Sequence, residues 1–138
     1  MATGDQEMKK INTIVCAGSC HCKRVKIAVN VPLNAQVSKC NCSICTKSGY
    51  LHMIVDKNDM EILQGSKNLT KYRFNTGVAC HLFCSNCGVK VFYIPRSHPD
   101  AYSVNVQCLE LDNKIQLVVK EFDGMHWEKN IQGLLNQQ

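Results

Sequence analysis

Seven of the ten cysteines fall into three short clusters: Cys20-His21-Cys22, Cys40-Asn41-Cys42-Ser43-Ile44-Cys45 and Cys84-Ser85-Asn86-Cys87. Thiols at this density are either metal ligands or the ends of a disulfide framework. Ten is an even count and small domains often need staples, so bridges are the natural rival. The start of the chain favours metal. Met1 to Lys10 has no apolar signal core, and no later stretch approaches the roughly 18 apolar residues of a membrane span. The expectation is a cytoplasmic protein, with nuclear entry open and no membrane partner, whose thiols stay reduced. Cys-x-Cys spacing adds a geometric reason. Two residues apart on a strand, side chains share a face and can converge on an ion, yet they bridge each other poorly.

Counting ligands then separates two kinds of site. Zinc is bound tetrahedrally by sulfur and nitrogen; four protein ligands close the site, whereas three leave a place for water or substrate. Cys20 with Cys22 supplies one pair and Cys84 with Cys87 another, the latter in a Cys-x-x-Cys-Gly turn where Gly88 can take a positive φ. Together they make a four-sulfur structural site that closes a long loop. Cys40, Cys42 and Cys45 remain as a three-thiolate group, the pattern of a catalytic zinc. A distant residue could still close it: His52, His81, His98, Cys16, Cys80 and Cys108 are all available. His21, between two ligands, is expected to face away from the metal. Cys16, Cys80 and Cys108 lie in apolar or alternating surroundings and read as inert thiols. Three thiolates on a dication leave a net charge of −1, so the ion is a weak Lewis acid that prefers a soft ligand. A substrate thiol in the fourth position would be held as thiolate near neutral pH, the activation that carbon–sulfur bond formation needs.

The elements that must position these clusters are mostly strands. Val25, Ile27, Val29 and Val31 take one face, and Arg24, Lys26, Ala28 and Asn30 the other. Tyr50 to Val55, Tyr72 to Phe74, Lys90 to Ile94, Tyr102 to Val106 and Ile115 to Phe122 are rich in β-branched and aromatic residues, separated by turn formers. The expected fold class is all-β, with a helical turn at Ser43 to Lys47 and a C-terminal helix suggested by Trp127, Ile131, Leu134 and Leu135. At 138 residues, 45% hydrophobic and 20% charged, the chain is one domain long and can form a core without staples. The division is a flexible segment 1–14, a zinc-binding domain 15–130 and a tail 131–138. The formal charge of +5 counts every cysteine as neutral. Seven thiolates subtract seven and two zinc ions add four, leaving +2, which argues against nucleic acid as a partner. Lys23, Arg24 and Lys26 read as a solvated strand face.

Gly18-Ser19-Cys20-His21-Cys22, the middle cluster, Phe83-Cys84-Ser85-Asn86-Cys87-Gly88 and Phe122-Asp123-Gly124-Met125-His126-Trp127-Glu128 resemble, in order and spacing, the glutathione-dependent formaldehyde-activating enzyme family. Within it, Phe92 to Pro99 and Phe74-Asn75-Thr76 resemble the branch that includes centromere protein V. The resemblance implies a β-tent fold of antiparallel sheets with two zinc ions. It assigns a structural zinc to Cys20, Cys22, Cys84 and Cys87, and a catalytic zinc to Cys40, Cys42 and Cys45. The implied reaction joins glutathione and formaldehyde into S-hydroxymethylglutathione, a carbon–sulfur lyase reaction in reverse. The expected partners are therefore a small thiol and a small aldehyde. Glutathione carries two carboxylates, so a nearby cation is expected, with Lys47 and Arg96 the candidates. A non-catalytic zinc module that binds protein or chromatin is the alternative, and an oxidisable thiolate sensor a third. The long basic extension of centromere protein V has no counterpart before Cys16, so its chromatin and microtubule association is not carried over.

Overall fold

The alternation around Val25 builds the smaller of two sheets. In it β1 (Thr13–Ser19) pairs antiparallel with β2 (Lys26–Pro32), and β2 with β5 (Met60–Gln64). Val25, Ile27, Val29 and Val31 are buried, while Lys26 and Pro32 face solvent. The structure, a computed structural model, describes residues 12–74, 77–123 and 126.

The larger sheet has seven strands. In spatial order they are β10 (Gln116–Phe122), β3 (Asn34–Cys40), β4 (Leu51–Asp56), β9 (Ala101–Asn105), β8 (Phe92–Ile94), β7 (Cys80–Cys84) and β6 (Leu69–Tyr72). Neighbours run antiparallel except β10, which lies parallel to β3 with Phe122 opposite Cys40. Helix α1 (Ser43–Ser48) connects β3 to β4 and is the expected turn at the middle cluster. Among the described residues the chain is thus all-β, with mainly antiparallel sheets and one short α-helix, as the alternating runs predict. Among the described residues, no helix is long and apolar enough to cross a membrane.

Ile27, Val29, Val31, Val37, Met53 and Phe92 belong to one buried cluster that draws on both sheets. Each such side chain contributes about 1.5–3 kcal/mol on burial, so the core does not depend on bridges. All ten cysteines are free thiols.

Alternation missed four strands, β1, β3, β5 and β7. Strand β3 carries a polar, small-residue sequence in which Ala35 and Val37 alone are apolar before Cys40. Strand β7 reads Cys-His-Leu-Phe-Cys, whose reactive side chains mask its period. The strand expected at Tyr72 to Phe74 lies earlier, at Leu69–Tyr72. Cys20 and Cys22 stand in a loop after β1 rather than on a strand, as do Lys23 and Arg24. The convergence of the two sulfurs there comes from a turn, closed by Cys20 N–H donating to Val25 O and Lys23 N–H to Cys20 O. The helix expected around Trp127, Ile131, Leu134 and Leu135 lies outside the described residues, as do segments 1–11 and 131–138.

Candidate functional site

The loop after β1 and the end of β7 bring four sulfurs together. Cys20, Cys22, Cys84 and Cys87 offer ligand atoms that all lie within 4.8 Å of one another. The Cys20 and Cys22 sulfurs are 3.7 Å apart, and those of Cys22 and Cys84 are 3.6 Å apart. Sulfurs ~2.3 Å from one ion at tetrahedral angles stand about 3.8 Å from each other, so the donor set fits a tetrahedral thiophilic metal. Disulfide-bonded sulfurs would be about 2.05 Å apart. Backbone N–H groups point at the sulfurs: Val25 N donates to Cys20 Sγ at 3.3 Å and Asn86 N to Cys84 Sγ at 3.4 Å, which favours thiolate. Gly88 has φ 80 and its N–H closes the Cys84 turn at 2.8 Å, the conformation that lets Cys87 fold back beside Cys84. Burial pushes the Cys20 thiol up to about 11, whereas a hydrogen bond with Asn86 brings Cys22 down to about 6.

The second group forms where β3 ends and α1 begins. Cys40 is the last residue of β3, Cys42 is the N-cap of α1, and Cys45 lies inside α1 and is buried. Their sulfurs lie within 4.8 Å of one another, and among the described residues no fourth metal-ligating side chain joins them. Hydrogen bonds from Cys40 and Cys45 hold the Cys42 thiol far below the ordinary thiol range. Contacts with Cys40 and Cys42, with burial, push Cys45 far above it. Three thiols packed this closely cannot all ionise unaided, because each thiolate raises the next. A dication among them removes that conflict, so this donor set also fits a metal.

Of the six residues able to approach the second group, His52 does so. Its Nε2 lies 3.1 Å from Cys45 Sγ, and its Nδ1 lies 3.0 Å from both Ser103 Oγ and Tyr93 OH. It meets one sulfur, not the common centre of three. Burial pushes its imidazole down to about 3, which keeps the ring neutral. Cys16 and Cys80 are buried and Cys108 half-buried, and none of the three belongs to either group. His21 is exposed.

A cavity of about 730 Å³ opens beside the three-cysteine group, lined by Cys40, Cys45, Tyr50, Lys39, Glu121 and Asp123 among others. Lys39 is the cation on its wall; Lys47, exposed on α1, and Arg96, half-buried after β8, are not among the lining residues. Nothing in the sequence singled out Lys39, because its place on the wall depends on β10 lying against β3, where it sits opposite Glu121. At the rim Asn41 Nδ2 donates to Asp123 Oδ1 at 3.0 Å, and His126 Nδ1 lies 2.7 Å from Asp123 Oδ2. The bond from Asn41, followed by that of His126, holds the Asp123 carboxyl below its ordinary value.

Comparison with known proteins agrees with this arrangement. A crystal structure of a protein from Rhodobacter sphaeroides is 35% identical in sequence and superposes with a TM-score of 0.64, covering 74% of this chain and 99% of that one. Residues 15–123 match the family described as glutathione-dependent formaldehyde-activating enzyme, a span that contains both cysteine groups and every strand but the first residues of β1. The chain belongs to the glutathione-dependent formaldehyde-activating enzyme family.

Proposed function

We propose that the protein is a zinc-dependent carbon–sulfur lyase of the S-(hydroxymethyl)glutathione synthase type, with one structural and one catalytic zinc per chain. The observation that carries this reading is the convergence of Cys40, Cys42 and Cys45 beside a 730 Å³ cavity lined by two of them. In the reaction a carbon–sulfur bond forms between the thiol and the aldehyde carbon, the carbonyl π bond becomes an alkoxide, and the thiol proton ends on that oxygen. Cys40, Cys42 and Cys45 would hold the zinc, which would supply a position where a substrate thiol is ionised near neutral pH. Tyr50 and Lys39 line the cavity, and the exposed Lys39 ammonium suits a carboxylate of glutathione. Asp123 orients His126 through Nδ1, so the pair can hold a proton at the rim of the cavity. The resemblance of Phe92 to Pro99 to the branch that includes centromere protein V supports reading the chain as a member of that branch.

Exchange spectroscopy on mixed formaldehyde and glutathione tests the proposal. The wild-type protein should accelerate formation and breakdown of the adduct above the spontaneous rate. Cys42→Ser should return the rate to the spontaneous one and retain one zinc instead of two. A wild-type protein that adds nothing to the spontaneous exchange would sink the enzyme reading.

A further inference from the structure

Lys90 follows Val89 and precedes Val91, and it is 8% exposed. A buried ammonium costs several kcal/mol unless something answers its charge. Its side-chain partners are a neutral acceptor and two rings. Nζ lies 3.1 Å from His81 Nδ1, and 4.6 and 4.7 Å from the ring centres of Tyr50 and Tyr93; among the described residues no carboxylate pairs with it. Burial pushes its pKa down, and negative charge on Cys45 and Cys42 pulls it back up. The rings that cage Lys90 also pack on His52, with centres 4.5 and 5.5 Å from its ring, and His52 touches Cys45 Sγ, so the three-cysteine group adjoins that aromatic layer.

The connection runs through named contacts. Tyr50 lines the cavity beside Cys40 and Cys45. The Tyr93 hydroxyl meets His52 Nδ1, and His52 Nε2 meets Cys45 Sγ. His52 is 6% exposed, and its two ring nitrogens face different partners, hydroxyls at Nδ1 and a sulfur at Nε2. Two hydroxyls can donate to Nδ1, whereas a thiolate at Nε2 accepts, so the proton belongs on Nε2.

We propose that Lys90 and His52 are the electrostatic backing of the three-cysteine centre. His52 donates Nε2–H to the Cys45 thiolate. The Lys90 ammonium, caged by Tyr50, Tyr93 and His81, offsets the net negative charge that three thiolates leave on a dication. The centre can then accept a fourth, anionic sulfur. Both are positioning residues, and the inference rests on the metal reading of this cluster but not on the formaldehyde step.

The test uses the full chain loaded with cobalt(II), whose sulfur-to-metal absorption reports each bound thiolate. The difference from cobalt-loaded Cys42→Ser isolates the three-cysteine centre. Titrated with 2-mercaptoethanol, Lys90→Met should bind the thiol about tenfold more weakly than wild type, the effect of one unit charge acting across an aromatic layer at an effective dielectric of about 20. Its affinity for imidazole, a neutral ligand, should not change. His52→Ala should also weaken the thiol, and His52→Gln, which retains a donor, should recover most of the loss. Equal thiol affinity in Lys90→Met and wild type overturns the inference alone, as does an equal loss for thiol and imidazole. A wild-type protein that takes up no cobalt at this cluster overturns the functional reading and the inference with it. Independently of any variant, nitrogen-detected spectra of the metal-loaded wild type at pH 7.5 should show Lys90 as an ammonium; a neutral amine there refutes the proposal.

Discussion

His81 illustrates how a side chain that looks like a ligand becomes part of the scaffold. It is 4% exposed, stacks on Tyr93 with ring centres 4.7 Å apart, and accepts from Lys90 through Nδ1. Burial, followed by the Lys90 charge, pushes its imidazole down to about 4. The folded-state value lies below the ordinary one, so the unfolded chain binds the extra proton first. The stability this confers is complete above about pH 6.5 and falls as pH drops toward 4, by at most about 1.4 kcal/mol per pH unit. Denaturant unfolding of wild type between pH 7 and 5 should show this loss added to that of His52, whose imidazole is pushed down to about 3, and His81→Asn should reduce the slope without abolishing it. The imidazole proton resonances of His81 should not titrate above pH 5.5; a midpoint near 6.5 would contradict its burial. His52, by contrast, owes its importance to the sulfur it touches. In the sequence the two histidines are equivalent, each in an apolar run, and only their neighbours across the sheet separate them.

At the scale of elements, Gly65 ties the smaller sheet to the four-cysteine loop. It ends β5 at φ 89, and a Cβ there would stand 2.1 Å from Arg24 O, inside the loop that follows Cys22. No rotamer relieves a clash with backbone. Gly65→Ala should cost about 2–4 kcal/mol and speed metal loss from Cys20, Cys22, Cys84 and Cys87 under a chelator. An unchanged melting temperature and release rate would show that the loop yields freely. Strand β10 works differently. Leu117, Val118 and Val119 are partly exposed along an edge, yet its last residue, Phe122, is buried opposite Cys40 and lines the cavity. This parallel pairing of β10 with β3 brings Glu121 and Asp123 to the wall. No local pattern in either strand announces it, because parallel pairing joins segments more than seventy residues apart.

Across the whole molecule the two cysteine groups have different mechanical roles. Cys20 and Cys22 follow a strand of the small sheet, and Cys84 ends a strand of the large one. A metal shared between them would clip the sheets together, whereas Cys40, Cys42 and Cys45 lie within six consecutive residues and would clip nothing distant. Binding free energy that couples remote elements becomes folding free energy. Cys84→Ser should therefore lower the melting temperature by more than about 10 °C. Cys42→Ser should lower it by no more than a few degrees while losing its metal. Thermal melts with metal analysis on both variants check this, and equal destabilisation would remove the division of labour. Legibility follows the same line. Strand β2 and α1 were readable because their periods are local, while β3 and β7 were hidden by polar or reactive side chains.

The sequence by itself determined which sulfurs form each short cluster, since Cys-x-Cys and Cys-x-x-Cys spacings already confine each cluster to one turn, and it determined an all-β chain through β2 and its kin. Only the tertiary structure decided what surrounds the three-cysteine group. Lys39 rather than Lys47 or Arg96 lines the cavity, His52 reaches Cys45, and Lys90 is buried behind Tyr50 and Tyr93. The reason is range. A metal-binding turn is specified by residues two or three apart, whereas the charge and the hydrogen bonds around it are set by strands that meet only when the sheet closes.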